Sequence, residues 1–401
     1  MNLTRRDFAK AVTALSLAPS LPASHGPSPR LLVAIFLRGG QDALATLIPH
    51  GDKLYPTLRP TLAIGMDEEV HPLDLDGYWG LHPAFAPLLP YWNAGQLAPL
   101  INVGSPHPTR SHFDAQDFME YGAPGLRTVR SGWLNRHLQA TRKPGEALLR
   151  ALALQTLLPR ALRGDFPVLA APDDATLRGS NTQEIVDQLY ADSQPMDAVP
   201  RRDDEVIAAG RATIDALRRY QEVLGRSANT AAYPQGPLAA KLSRIARVVK
   251  SGEPLEVACA DYGGWDHHAN EGDAEGQIAR MLAHLAGTLA AFAQDLGEHF
   301  ARTLVLTMSE FGRTCRENGN RGTDHGHGGL MLAFGGGVAG KKVHGKWLGL
   351  AENDLYESRD LPVTTDFRDV FAEILTAHLG ARPGKGQWPE WKPGKALGLL
   401  R

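Results

Sequence analysis

The segment Gly322–Gly329, GTDHGHGG, sets Asp324, His325 and His327 among glycines. GGWDHHAN carries Asp266, His267 and His268, SEFGR carries Glu310 and Arg313, and RGGQD ends in Asp42. Carboxylates and imidazoles crowded together repel or perturb one another unless a cation neutralises them. Asp, Glu and His without cysteine suit divalent ions of borderline or hard character, such as zinc, manganese or magnesium. Each residue alone has a plainer use. Asp42 suits a helix cap, Asp266 and His268 suit a turn, and Glu310 can pair with Arg313 at a rim. Their coincidence beside strand-like runs argues for a metal site.

A further segment, SPHPTRSHFDAQDFMEYG, combines hydroxyls with a cation. The spacing predicts a short helix from Phe113 to about Glu120, with Ser111 at its N-terminus. Free N–H groups and the helix dipole favour an anion there. Arg110 offers a planar grip on phosphate or sulfate. A metal would activate Ser111 as nucleophile, with Thr109 and Ser105 as alternatives. The competing use of Ser111 or Thr109 is a simple N-cap.

These residues need elements to hold them. Leu31–Leu37 is an apolar run closed by Gly39-Gly40, the pattern of a strand buried on both faces. Similar runs cover 97–104, 255–264, 302–310 and 329–337. Ile278, Met281, Leu282, Leu285, Leu289, Phe292 and Leu296 recur at helical spacing between two of them. Asp366 and Gly380 bracket another helix. Strands alternating with helices predict an α/β fold, a mostly parallel sheet between helical layers. Ligands bind outside the carboxyl ends of such strands. Four of the polar clusters follow strand-like runs, and GTDHGHGG precedes one. Residues 146–250 show helical spacing and little strand signal. They are expected either as a helical insertion or cap, or as helices covering one sheet face. The stretch PGKGQWPEWKPGK reads as a surface tail.

Bulk composition excludes several classes. The chain has 401 residues and a net charge of −2, with no basic run to favour nucleic acid or an anionic membrane. Cys259 and Cys315 lie in no C-x-x-C pair, which rules against cysteine-ligated zinc and leaves one disulfide or two separate thiols open. Thr4-Arg5-Arg6-Asp7-Phe8-Ala9-Lys10, followed by the apolar stretch Ala11–Ala18, fits a twin-arginine signal peptide over residues 1–28, with cleavage near Ala23. That apolar stretch is too short to span a bilayer. The expectation is export through the twin-arginine machinery to the periplasm or beyond, with no transmembrane anchor in the mature chain.

IFLRGGQDAL, SPHPTRSHFDAQDFMEYG, GWLNR, GGWDHHAN, RTLVLTMSEFGRT and GTDHGHGG, in this order, resemble domain-of-unknown-function family 1501, an exported bacterial family. The resemblance runs from about Leu31 to Gly380. That family is regarded as a distant relative of the alkaline phosphatase and sulfatase superfamily. The resemblance implies a single α/β/α sandwich over 29–401 and a centre of one or two divalent ions, zinc foremost, with manganese, magnesium or calcium as alternatives. By position it implies Asp42 as first carboxylate ligand, Asp266 and His268 as a ligand pair, Glu310 in place of an aspartate ligand, and His327 or His325 as the late histidine. Three departures stand out. One residue separates Asp266 from His268 where the superfamily has three, so His267 competes with His268. Phe311 replaces a histidine ligand, a loss that His325 or Asp324 would repair. Pro106 stands where a sulfatase nucleophile would be. The implied activity is metal-dependent hydrolysis of a phosphate or sulfate ester of a small molecule or glycan. Ser111 would be the nucleophile, and Arg110, Arg313 or Arg38 would hold the anion. The alternative is a non-catalytic exported binding or envelope-associated protein with a degenerate site.

Overall fold

The computed structural model describes residues 29–67, 69–143, 149–171 and 202–401, with side chains of the last stretch from 212 onward. The twin-arginine segment lies outside the described residues. Eight strands build the main sheet: β1 (Leu31–Arg38), β2 (Leu97–Gly104), β3 (Ala151–Ala153), β4 (Leu169–Ala170), β5 (Val257–Gly263), β6 (Thr303–Met308), β7 (Gly329–Gly335) and β8 (Thr365–Asp366). Their spatial order is β8-β2-β7-β6-β1-β5-β3-β4.

β1 is apolar along its length because both faces are covered. Leu31, Val33, Ile35 and Leu37 enter one core, while Leu32, Ala34 and Phe36 enter the other. The first core is closed by the helices Arg202–Arg226, Pro237–Lys250 and Gln277–Leu296. The second is closed by Trp133–Ala140 and Phe367–Glu373. The fold is therefore a three-layer α/β/α sandwich. Gln277–Leu296 buries Ile278, Leu282, Leu285, Leu289, Phe292 and Leu296, the stripe its spacing predicts. Each such side chain contributes about 1.5–3 kcal/mol on burial.

One strand is reversed. β7 runs antiparallel to both neighbours, pairing Leu330 with Ile101 and Leu332 with Thr307. The other strand pairs in the sheet are parallel. The start of β7 therefore lies at the edge where β1, β2, β5 and β6 end. This is why the Asp324–His327 turn, which precedes its strand, joins segments that follow theirs.

Three expectations change. The stretch 146–250 is more than a helical insertion or cap. Ala151–Ala153 hydrogen-bonds to β5 and Leu169–Ala170 to β3, so the stretch extends the sheet, and its helix Pro237–Lys250 covers one sheet face. Cys259 and Cys315 are free, buried thiols in different cores on opposite faces of the sheet, so they do not pair. The Trp-rich tail is not purely surface. Trp388 packs on Trp133 and Phe371 in the second core, where its large apolar ring is better placed than in water.

Candidate metal centre

The site forms where strand-end loops meet. Beyond Arg38, Gly39 and Gly40 adopt φ of +123° and +70°. A Cβ on Gly39 would fall 2.7 Å from the Asp266 amide nitrogen, and one on Gly40 2.7 Å from the Phe311 ring. Glycine is required here both for its backbone angles and for the close approach of neighbouring loops. A second pair of loops zips together through Thr314 N–H to Asp324 O (3.0 Å), Gly326 N–H to Gly312 O (2.8 Å) and Gly312 N–H to His327 O (3.1 Å). That pairing carries His325 inward beside Phe311, at 4.9 Å between ring centres.

Three imidazoles converge on one carboxylate. His268 Nε2 and His325 Nε2 lie 3.0 and 3.1 Å from Asp266 Oδ1, and His112 Nε2 lies 3.4 Å from Oδ2. The opposite nitrogen of each ring is held. His112 Nδ1 meets Glu310 Oε1 at 2.8 Å, His325 Nδ1 meets the Arg110 carbonyl at 2.9 Å, and His268 Nδ1 meets Asp324 Oδ1 at 3.1 Å. Each Nδ1 must donate to these acceptors, so in the neutral rings each Nε2 presents a lone pair. His268 Nε2 and His325 Nε2 then face each other at 3.0 Å. His112 Nε2 is buried without a hydrogen-bond partner. Acceptors gathered this closely require positive charge between them, supplied by ring protons or by a metal ion. His112, Asp266 and His325 offer ligand atoms within 4.8 Å of one another. Nδ1 held by an oxygen and Nε2 left for the ion is how metal-ligating histidines are oriented. The donor set thus fits a divalent cation.

The surrounding charges keep the set ready for a cation. Burial alone would raise Asp266, but the Arg313 guanidinium and then His268 and His112 bring it down to about 2, so it stays ionised. Burial would likewise raise Glu310, but hydrogen bonds from His112 and Gln116 hold it below the usual carboxylate range. Its charge in turn raises His112. Burial lowers His325.

The matching family model, described as protein of unknown function DUF1501, covers residues 92–385. The chain belongs to the DUF1501 family. Comparison with curated protein sequences gives no match. Among solved structures, the PsFucS1 sulfatase from Pseudoalteromonas sp. aligns at 12% identity and TM-score 0.39, over 93% of this chain and 71% of that one. The zinc complex of the C-terminal periplasmic domain of EcEptC from Escherichia coli aligns at 12% identity and TM-score 0.33, over 77% and 74%. Alkaline phosphatase from the Antarctic bacterium TAB5 aligns at 10% identity and TM-score 0.32, over 78% and 93%.

In this DUF1501 chain, Asp266, His268 and His325 come together, and two residues expected with them stand apart. Asp42 is buried and caps the helix Ala43–Thr46 through Leu44 and Ala45 N–H, while Arg59 clamps both its oxygens at 2.6 and 3.1 Å. His327 is buried against Tyr356, with ring centres 4.3 Å apart. Burial, then Arg110, lowers it to about 4. Glu310 reaches the centre only through His112, because its Oε1 already accepts from Gly39 N–H, His112 and Gln116. Arg313 is buried, and it donates to the carbonyls of Gly39, Gly40, Trp265 and Thr323 and to Asp266. It therefore braces the loops, with its side chain fully buried. Arg110 is paired with Asp360 and Glu357, each at 2.6 Å. Arg38 is tied to Gln116, Glu120 and Asp261. Ser111 is exposed and precedes the helix His112–Tyr121 without capping it by its side chain. His112 is the member that the sequence reading passes over. Its signal is its place as first helical residue after a strand end, four residues before Gln116.

Proposed function

We propose that this protein is an exported metal-dependent hydrolase of phosphate or sulfate esters. The observation that carries this reading is the convergence of three imidazole Nε2 atoms on Asp266, each ring fixed through Nδ1. A divalent ion bound there would polarise an ester oxygen and acidify a hydroxyl or water beside it. Asp266, braced by Arg313, would hold the negative end of the ligand set. Glu310 would keep the His112 proton on Nδ1 and so leave Nε2 free. Ser111 joins the two segments that touch the centre, since the Arg110 carbonyl binds His325 and His112 is itself a member. Its uncommitted hydroxyl is the proposed nucleophile. Arg110 would grip the anion by exchanging the exposed Glu357 for substrate oxygen. No helix among the described residues is long and apolar enough to cross a membrane. The proposed substrate is a small-molecule or glycan ester. Elemental analysis of purified protein, followed by assays on aryl phosphates, phosphodiesters and aryl sulfates, tests the reading. Bound metal with turnover lost in Asp266→Ala supports it; undiminished turnover in that variant rules it out.

The second reading is a non-catalytic binding or envelope-associated protein. It is favoured by the engagement of Arg38, Arg110 and Arg313 with carboxylates or carbonyls. A metal-free protein that keeps its partner after substitution of Asp266 and His325 would establish it.

A further inference from the structure

Beside the imidazole centre lies another set of ligand-type side chains: Asp42, His267 and Glu271, all buried. Glu271 Oε2 accepts from Thr323 Oγ1 at 2.9 Å. Glu271 Oε1 lies 3.9 Å from His267 Nδ1, and these two atoms and His267 Nε2 have no hydrogen-bond partner. Residue types alone would make this a second metal position, and the superfamily that this chain resembles usually holds two ions. The charges say otherwise.

Asp42 is already saturated. Its Oδ1 accepts from Leu44 N–H at 2.9 Å, Ala45 N–H at 3.2 Å and Arg59 Nη2 at 3.1 Å, and its Oδ2 from Arg59 Nη1 at 2.6 Å. Arg59 is fully buried and cannot swing away. Its Nε donates to the Cys315 carbonyl at 2.9 Å and its Nη2 to the Thr314 carbonyl at 3.0 Å. Burial and the neighbouring Asp42 raise Glu271 above the carboxylate range. The Arg59 guanidinium already neutralises the Asp42 carboxylate. Arg313 takes only Oδ1 of Asp266, whereas Arg59 and two backbone N–H groups take both oxygens of Asp42 and leave an ion no carboxylate oxygen there. Glu310 is engaged elsewhere, its Oε1 accepting from Gly39 N–H, His112 and Gln116.

We infer that the protein holds one divalent ion per chain, at the Asp266 centre, and that the Arg59 guanidinium stands in the Asp42 set where a second ion would otherwise be. The inference rests on the metal reading of the Asp266 centre. With a single ion, charge on the other side of the ester falls to protein donors instead of a two-ion clamp.

Metal counting tests it. Wild-type protein saturated with zinc and freed of excess should carry one equivalent by mass spectrometry. Asp42→Asn and Glu271→Gln should each retain that equivalent, and Asp266→Asn should lose it. Glu271→Gln keeps the side-chain shape and guards against a folding defect in Asp42→Asn. Two equivalents in the wild type, falling to one in Asp42→Asn or Glu271→Gln, would overturn the inference and leave the metal reading standing. One equivalent that survives in Asp266→Asn overturns it as well. No bound zinc in the wild type would remove the metal reading and the inference together.

Discussion

Glu256 and Asp266 lie at opposite edges of one sheet, each beside histidine and arginine. At Glu256, His137 Nε2 approaches to 2.6 Å, and Arg150 donates from Nε at 2.9 Å and Nη2 at 3.1 Å. One carboxylate there meets donors alone, and the charges close. At Asp266, one carboxylate meets a guanidinium and three imidazoles whose other nitrogens are already committed. Acceptors outnumber donors, and the carboxylate side chain is 43% exposed. The same residue types therefore make a structural lock at one edge and a cluster of facing acceptors at the other. The difference lies in how many rings share the carboxylate and which ring nitrogen faces it.

The largest expected effect breaks this comparison at the site. Asp266→Ala removes the oxygens that the three rings share. Bound zinc should fall to background and ester turnover at least about 100-fold, read by elemental analysis and by rate, while the melting temperature stays near that of the wild type. Glu310→Gln sharpens the role of the surrounding shell. Without the charge on His112 Nδ1, zinc affinity should drop by about 10- to 100-fold in a chelator competition.

Acid sharpens the other edge. Burial would raise Glu256, but His137 and then Arg150 bring its pKa down to about 2 from an ordinary 4.5. A depressed folded pKa gives stability that is full above 4.5 and lost as pH falls from there toward 2. The loss is on the order of 3 kcal/mol. Urea unfolding across that range should show it, and Glu256→Gln should flatten it while leaving zinc content unchanged.

The smallest effect concerns Phe113, which is 81% exposed beside His112. Phe113→Ala should change stability by less than about 0.5 kcal/mol. If the ring flanks the substrate, KM for an aryl ester rises a few-fold with kcat unchanged. An unaltered KM would assign the ring no part in binding.

Much of this was legible in the sequence. The long buried strands, the helix Gln277–Leu296 and the gathering of polar clusters at one edge all follow from apolar period and from what comes after each strand. The reversal of β7 was not legible, since an apolar run carries no direction. β3 and β4 have only three and two residues, too few to show a pattern. Within the site, residue type was readable and atom direction was not. Asp42 and Asp266 both follow glycine-rich strand ends. Only the fold shows that Arg59 takes both oxygens of the first, while Arg313 takes one oxygen of the second. His112 was overshadowed by the hydroxyl beside it, because a helix start favours several chemistries at once.

The reversed β7 has a consequence for the order of assembly. His112, Asp266 and His325 come from segments flanking β2, β5 and β7, far apart in the chain, and meet only when all three strands are docked. Contacts of such separation form late. A partly folded chain has no shared oxygen ringed by imidazoles, so capture of an ion there would mark the end of folding. In a refolding experiment, zinc uptake should follow the slowest phase, and a chain loaded with zinc is one whose sheet is complete.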